Sequence, residues 1–109
     1  MDRRMITTAL TIDGYRITES LGIARGITVR SRSLIGNIAG GLQSLLGGNI
    51  SIYKELCEKT RIDAFNEMAE HAEQMGANGI VSMRYDANEV MNGITEVLAY
   101  GTAVRFEKI

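Results

Sequence analysis

The sequence predicts an α+β fold of two layers, an antiparallel sheet packed by one long helix and by a second, short, Gly-rich helix. Three observations point there. β-Branched, loosely alternating stretches occupy both ends of the chain, over 6–30 and 80–106. A long amphipathic stretch over 51–75 lies between them, and the connections are short and rich in glycine. With 109 residues, 12 Gly and no Pro, the chain is expected to form one domain over 1–109. Only 6% of its residues are aromatic, so the core must be built from small aliphatic side chains. A domain of this size buries about two thirds of its unfolded surface, and self-association is expected to add to that.

The elements follow in order. Residues 6–12 alternate as a strand, Asp13-Gly14 is a two-residue hairpin signal, and Tyr15-Arg16-Ile17 is the returning arm. Residues 22–30 read as a longer strand, with Gly22 and Gly26 marking a bulge or a close backbone approach. Leu34, Ile35, Ile38, Leu42, Leu45 and Leu46 recur at helical spacing, giving a short helix over 34–46 stopped by Gly47-Gly48. In the long helix, Asn49 or Ser51 is the cap and Gly76 the left-handed terminator. At 100° per residue, Tyr53, Cys57, Thr60, Ala64, Met68, Ala72 and Met75 share the apolar face, with Leu56 and Phe65 at its edges. Residues 80–86 form a strand, 87–93 a polar turn ending in Asn92-Gly93, and 94–106 a last strand, broken or bulged near Gly101.

Charge and composition exclude several function classes. Twelve Lys+Arg against thirteen Asp+Glu give a net charge of −1, without the basic stripe of a nucleic-acid partner. No apolar run approaches the roughly 20 residues of a membrane span, and the start lacks a signal-peptide pattern. One Cys rules out an intrachain disulfide and fits a cytoplasmic protein. Met5 could equally serve as the natural start.

The chemistry-bearing residues are few. Cys57 and His71 are the single Cys and His, and on one helix they stand roughly 21 Å apart along the axis, too far to act as a couple within one subunit. The plainer reading of Cys57 is a buried small hydrophobe, and the functional one a thiol facing an intersubunit cavity. There the Cys57 thiol could bind a soft heavy metal or react. Glu67 and His71, at i and i+4, can share one divalent ion, with Asp63 continuing the row. No CxxC or HxxxH cluster accompanies them, so further ligands would have to come from a neighbouring subunit. Gly47-Gly48 before the long helix could present free N–H groups to an anion, with Arg25, Arg30 or Arg61 as the charge clamp, although loop punctuation explains those glycines as well. Arg61 falls within the apolar sector and calls for a carboxylate partner, an interface, or snorkelling to the rim.

Several stretches together resemble the YbjQ-like family, described as putative heavy-metal-binding proteins of bacteria and archaea. They are Thr7-Thr8, then Gly22-Ile23-Ala24-Arg25-Gly26 leading to Val29, then Gly40-Gly41-Leu42 and Gly47-Gly48. Glu58, Arg61 and Ala64 follow, then Ala72-Glu73-Gln74-Met75-Gly76-Ala77-Asn78-Gly79-Ile80-Val81 and the closing Tyr100-Gly101-Thr102-Ala103-Val104. Gly-Ala-Asn after a helix and the terminal Gly-Thr-Ala-Val are the specific elements. The resemblance implies a dodecin-like subunit assembled as a ring-shaped homopentamer, in the cytoplasm and without an established activity. It supplies no ligand motif for Cys57 or His71.

The resulting expectation is a non-enzymatic homo-oligomer that binds a metal ion or small anion between subunits, with no nucleic-acid or membrane partner. The candidate metal ligands are Cys57, Glu67 and His71, and the candidate anion contacts Arg25, Arg61, Gly47 and Gly48. No catalytic residue is singled out. An enzyme acting on a small anionic ligand, and a non-catalytic scaffold, stay open beside it.

Overall fold

The computed structural model describes residues 1–31 and 50–109. A 3-10 turn over Arg3–Met5 precedes strand β1 (Tyr15–Ser31), helix α1 (Ile50–Gln74), strand β2 (Gly79–Met91) and strand β3 (Ile94–Lys108). The three strands form one antiparallel sheet in the order β1-β3-β2, and α1 lies across one of its faces. The α+β class and the single long helix therefore agree with the sequence reading. The predicted Gly-rich helix over 34–46, the Gly47-Gly48 stop and the cap Asn49 lie outside the described residues. Ser51, the other candidate cap, falls within the first turn, because the helix starts at Ile50.

Alternation along β1 follows from the two-residue period of a strand. Ala24, Gly26 and Thr28 turn towards α1 and are buried, whereas Ile23, Arg25, Ile27 and Val29 alternate with them and are exposed, Arg25 and Ile27 at the sheet edge beside α1. On the helix, Thr60, Ala64, Met68 and Ala72 are buried along the predicted face. Ala99 and Ala103 of β3 and Ile80 and Met83 of β2 close the same core. The expectation of a small-aliphatic core is met most directly by its alanines: Ala24, Ala64, Ala72, Ala99 and Ala103 are all fully buried. Small residues let the helix backbone come very close to the sheet. A Cβ on Gly26 would stand 2.1 Å from the Ala64 carbonyl oxygen and 2.4 Å from the Met68 nitrogen. Gly26 therefore marks a close backbone approach. Gly22, at φ +109°, marks a bulge, where the β1–β3 register slips between Ser20 and Gly22.

The helix ends as the sequence indicates. Gly76 takes φ +88°, its N–H donates to the Glu73 carbonyl (3.0 Å) and the Ala77 N–H to the Ala72 carbonyl (3.0 Å). Those two bonds make a Schellman terminator, which satisfies carbonyls the helix leaves open and turns the chain straight into β2.

Three expectations are corrected. Residues 6–12 do not form the first arm of a hairpin. They run beside the start of β2, where Thr7 N–H donates to the Ile80 carbonyl (2.9 Å), Ser82 N–H to Ala9 (2.8 Å) and Met83 N–H to Thr7 (3.0 Å). Asp13-Gly14 does turn the chain, but into a single long strand whose partner is β3, from Tyr15↔Lys108 to Ser31↔Ile94. The local alternation was real, and a more distant partner claimed those backbone groups. Secondly, 87–93 is not a polar turn. Pairing continues through Asn88↔Glu96 and Glu89↔Thr95, so only Asn92-Gly93 forms the connection, with Gly93 at φ +81°. Its exposed residues continue β2 along β3, which at the same level also pairs with β1 through Val29↔Glu96 and Arg30↔Thr95. Thirdly, β3 is unbroken at Gly101. The irregularity lies opposite, where β2 inserts Ser82 and Met83 between Val81↔Thr102 and Arg84↔Tyr100, with Ser82 at φ +57°.

The Gly26 contact yields a stability prediction. Gly26→Ala should lower unfolding free energy by about 3 kcal/mol, because the methyl meets helix backbone rather than a movable side chain. Gly14→Ala, at φ +81° in open space, should cost only about 1 kcal/mol from backbone strain. Urea unfolding at one fixed protein concentration compares the two. A loss at Gly26 no larger than at Gly14 contradicts the proposed packing.

Candidate functional site

The β1 edge and the exposed flank of α1 together form a groove of about 340 Å³. Arg25 and Ile27 line it from the strand, and Glu67, Glu70, His71 and Gln74 from the helix. Its size lies at the lower end of the range for small-ligand sites, roughly 300–1,000 Å³. The helical residues converge because 67, 70, 71 and 74 recur at three- and four-residue steps and so share one flank. That flank reaches the sheet edge because Gly26 allows α1 to settle close to β1.

One hydrogen bond organises the groove. The backbone N–H of Arg25 donates to Nδ1 of His71 at 3.0 Å. β1 is an edge strand, so this amide has no sheet partner, and the imidazole takes the place of one. The bond also assigns the ring's protons. An imidazole that accepts at Nδ1 carries its hydrogen on Nε2, and His71 therefore presents an N–H donor on its other side. A metal-binding histidine has the opposite arrangement, donating from one nitrogen to an acceptor while the other offers a lone pair to the metal.

The groove's charges are otherwise unspent. Among the described residues, the Arg25 guanidinium and the Glu67 and Glu70 carboxylates form no ion pair within 4.0 Å. The surface elsewhere pairs such groups, as in Arg16–Glu107 (3.1 Å). Asp63, read as continuing the Glu67–His71 row, is held instead by Arg30 (3.1 Å) and Lys59 (3.2 Å). No group of three or more His, Cys, Asp or Glu among the described residues is arranged to hold a metal.

Cys57 and Arg61 stand elsewhere. Cys57 is exposed, which corrects the plainer reading of a buried thiol. It sits on the predicted apolar face, but near the helix start, where it borders a cavity instead of packed core. Together with Arg61, Thr60, Arg30 and Val97 it lines a second, mainly apolar cavity of about 190 Å³. The Arg30 Nε is buried there and has no partner among the described residues. Arg61 meets the cost of its position by staying exposed, with Glu58 at 4.0 Å as a loose companion. Tyr85 packs on the same side of the sheet, and burial pushes its phenol above the usual range.

The predicted metal set is thus divided. Glu67 and His71 share the groove, whereas Cys57 lies roughly 21 Å along the axis from His71. The predicted anion set is divided too, with Arg25 in the groove, Arg61 beside Cys57, and Gly47 and Gly48 outside the described residues. Glu70 and Gln74 were missed. Helical spacing from Glu67 and His71 would have found them, had that flank been read as a unit.

Known proteins place the chain. A family model described as putative heavy-metal-binding matches residues 4–107. A UPF0145 protein of Chromobacterium violaceum is 58% identical over 97% of this chain and 91% of its own length. One from Solibacter usitatus is 60% identical over 91% of this chain and 88% of its own. Another, from Burkholderia thailandensis, is 59% identical over 95% and 94%. A crystal structure of a Pediococcus pentosaceus protein of unknown function, from the DUF74 family, superposes with a TM-score of 0.60 over 94% of this chain and 96% of that one. At 19% identity, that likeness speaks for the fold alone. A match running from residue 4 to residue 107, beside relatives nearly 60% identical along almost their whole length, establishes that the chain belongs to the YbjQ-like family, UPF0145, the family described as putative heavy-metal-binding.

Proposed function

We propose that the chain is a non-enzymatic homo-oligomeric binding protein that holds a small ligand in the Arg25–His71 groove, at the margin of a subunit interface. The observation that carries this reading is the position of Ile27. It lines the groove and also belongs to the exposed apolar stripe of β1, in which Ile23 is 67%, Ile27 39% and Val29 54% accessible. An apolar strand face interrupted by Arg25, beside an open edge, favours covering by another chain. A copy seated on that stripe would border the groove and could complete it. The family resemblance supports five copies in a closed ring, and a head-to-tail contact closes in that way when its rotation permits. The reading includes neither a nucleic-acid nor a membrane partner. Among the described residues no helix is long and apolar enough to cross a membrane, and the single Cys suits the cytoplasm, the compartment we assign.

The family description favours a second reading, in which the ligand is a divalent or soft heavy-metal ion. Glu67 and Glu70 would be its contacts in this groove, and Cys57 its contact in the other cavity, each completed by a neighbouring subunit. His71 fits that role poorly while its Nδ1 accepts from Arg25.

Two measurements test these readings. Light scattering should give a mass near five times the 11.9 kDa chain, and Ile23→Glu with Val29→Glu should shift it to smaller species. A monomeric parent at micromolar concentration sinks the assembly reading. For the metal, protein purified without chelator is compared with Cys57→Ala, His71→Ala and Glu67→Gln by elemental analysis. Stoichiometric metal lost in Glu67→Gln or Cys57→Ala supports the ion. Equal, negligible content in all four rejects it.

A further inference from the structure

The geometry points to a zwitterion as the ligand of the Arg25–His71 groove, a small molecule carrying both a carboxylate and an ammonium group. This rests on the groove being a binding site and goes further by naming what it takes. Two residues that carry donors and two that carry acceptors line the same groove. Arg25, which lines the groove from the edge strand, carries a guanidinium fork suited to a carboxylate, and the Nε2–H of His71 is a donor oriented by the Arg25 amide bond at 3.0 Å. Glu67 and Glu70 are acceptor-only groups one helical step apart, suited to an ammonium.

The charge balance selects among ligand classes. An anion alone would satisfy Arg25 and His71 but meet two carboxylates, which repel it. A cation alone would satisfy Glu67 and Glu70 but meet Arg25, and a metal would find an N–H at His71 instead of a lone pair. A zwitterion fits both halves. None of the three charged groups has an ion-pair partner among the described residues, so none must be released before binding. Ile27 supplies an apolar wall for a short aliphatic spacer, and Gln74 a further hydrogen-bonding group.

Calorimetric titration of the full chain tests this, with ω-amino acids of two to six carbons, the matching alkyl carboxylates and alkylamines, inorganic phosphate and Zn²⁺. At least one ω-amino acid should bind tenfold or more tightly than both of its single-charge analogues. Arg25→Gln should remove its advantage over the amine, and Glu67→Gln with Glu70→Gln its advantage over the carboxylate. Circular dichroism and the assembled mass, unchanged in each variant, separate lost contacts from lost folding. If every ω-amino acid binds no better than its analogues, or keeps its advantage in both variants, the inference is overturned. Phosphate or Zn²⁺ binding that depends on Arg25 or Glu67, without ω-amino acid binding, overturns the zwitterion and leaves the groove as a site. Absence of binding by every probe rejects both the zwitterion and the groove.

Discussion

The contact on which the rest depends is the meeting of helix and strand backbones at Gly26. With no Cβ there, and with alanine at 24, 64, 72, 99 and 103, α1 lies against the sheet at a separation that larger side chains would prevent. Such a core has little volume per residue, and its stability comes from dense packing rather than large buried side chains. Among the described residues, only Met68, Ile80 and Val104 are both large and essentially inaccessible. Packing of this kind tolerates little change, because a backbone cannot rotate away from an added methyl as a side chain can.

That contact also determines where chemistry can occur. By drawing α1 onto β1, it brings the 67–70–71–74 flank within reach of an edge strand. His71 then accepts from a backbone amide that would otherwise lack a partner. A histidine used in this way is part of the fold and of the groove at once. Its Nδ1 satisfies the sheet edge, and its Nε2–H becomes a fixed feature of the surface. The family description emphasises heavy metals, yet this ring orientation presents a donor where a metal would seek a lone pair. The carboxylates at 67 and 70 have no such constraint.

Long-range strand pairing explains most of the differences from the sequence reading. Residues 87–91 resemble a turn, because they are exposed and include Asn88 and Glu89. They pair nonetheless, since β3 continues opposite them and Asn92-Gly93 supplies a tight connection. Residues 6–12 resemble a hairpin arm by alternation, but β3 pairs with 15–31 and leaves them to dock beside β2. In both cases the period was read correctly and the partner was not. A strand's partner is a non-local fact that no local pattern encodes.

The chain by itself determined what depends on local periodicity and special residues. These are the long helix and its buried face at Thr60, Ala64, Met68 and Ala72, the Gly76 terminator, the close approach at Gly26, and the pairing of Glu67 with His71 on one flank. Tertiary structure alone decided which residues join them. It brought Arg25 to His71 across the sheet edge, left Cys57 exposed on a face whose helical spacing looked buried, and separated Arg61 from Arg25. The physical reason is that periodicity records which side of an element a residue occupies. Whether anything lies opposite depends on how far the sheet extends beneath the helix and on which strand stands at its edge.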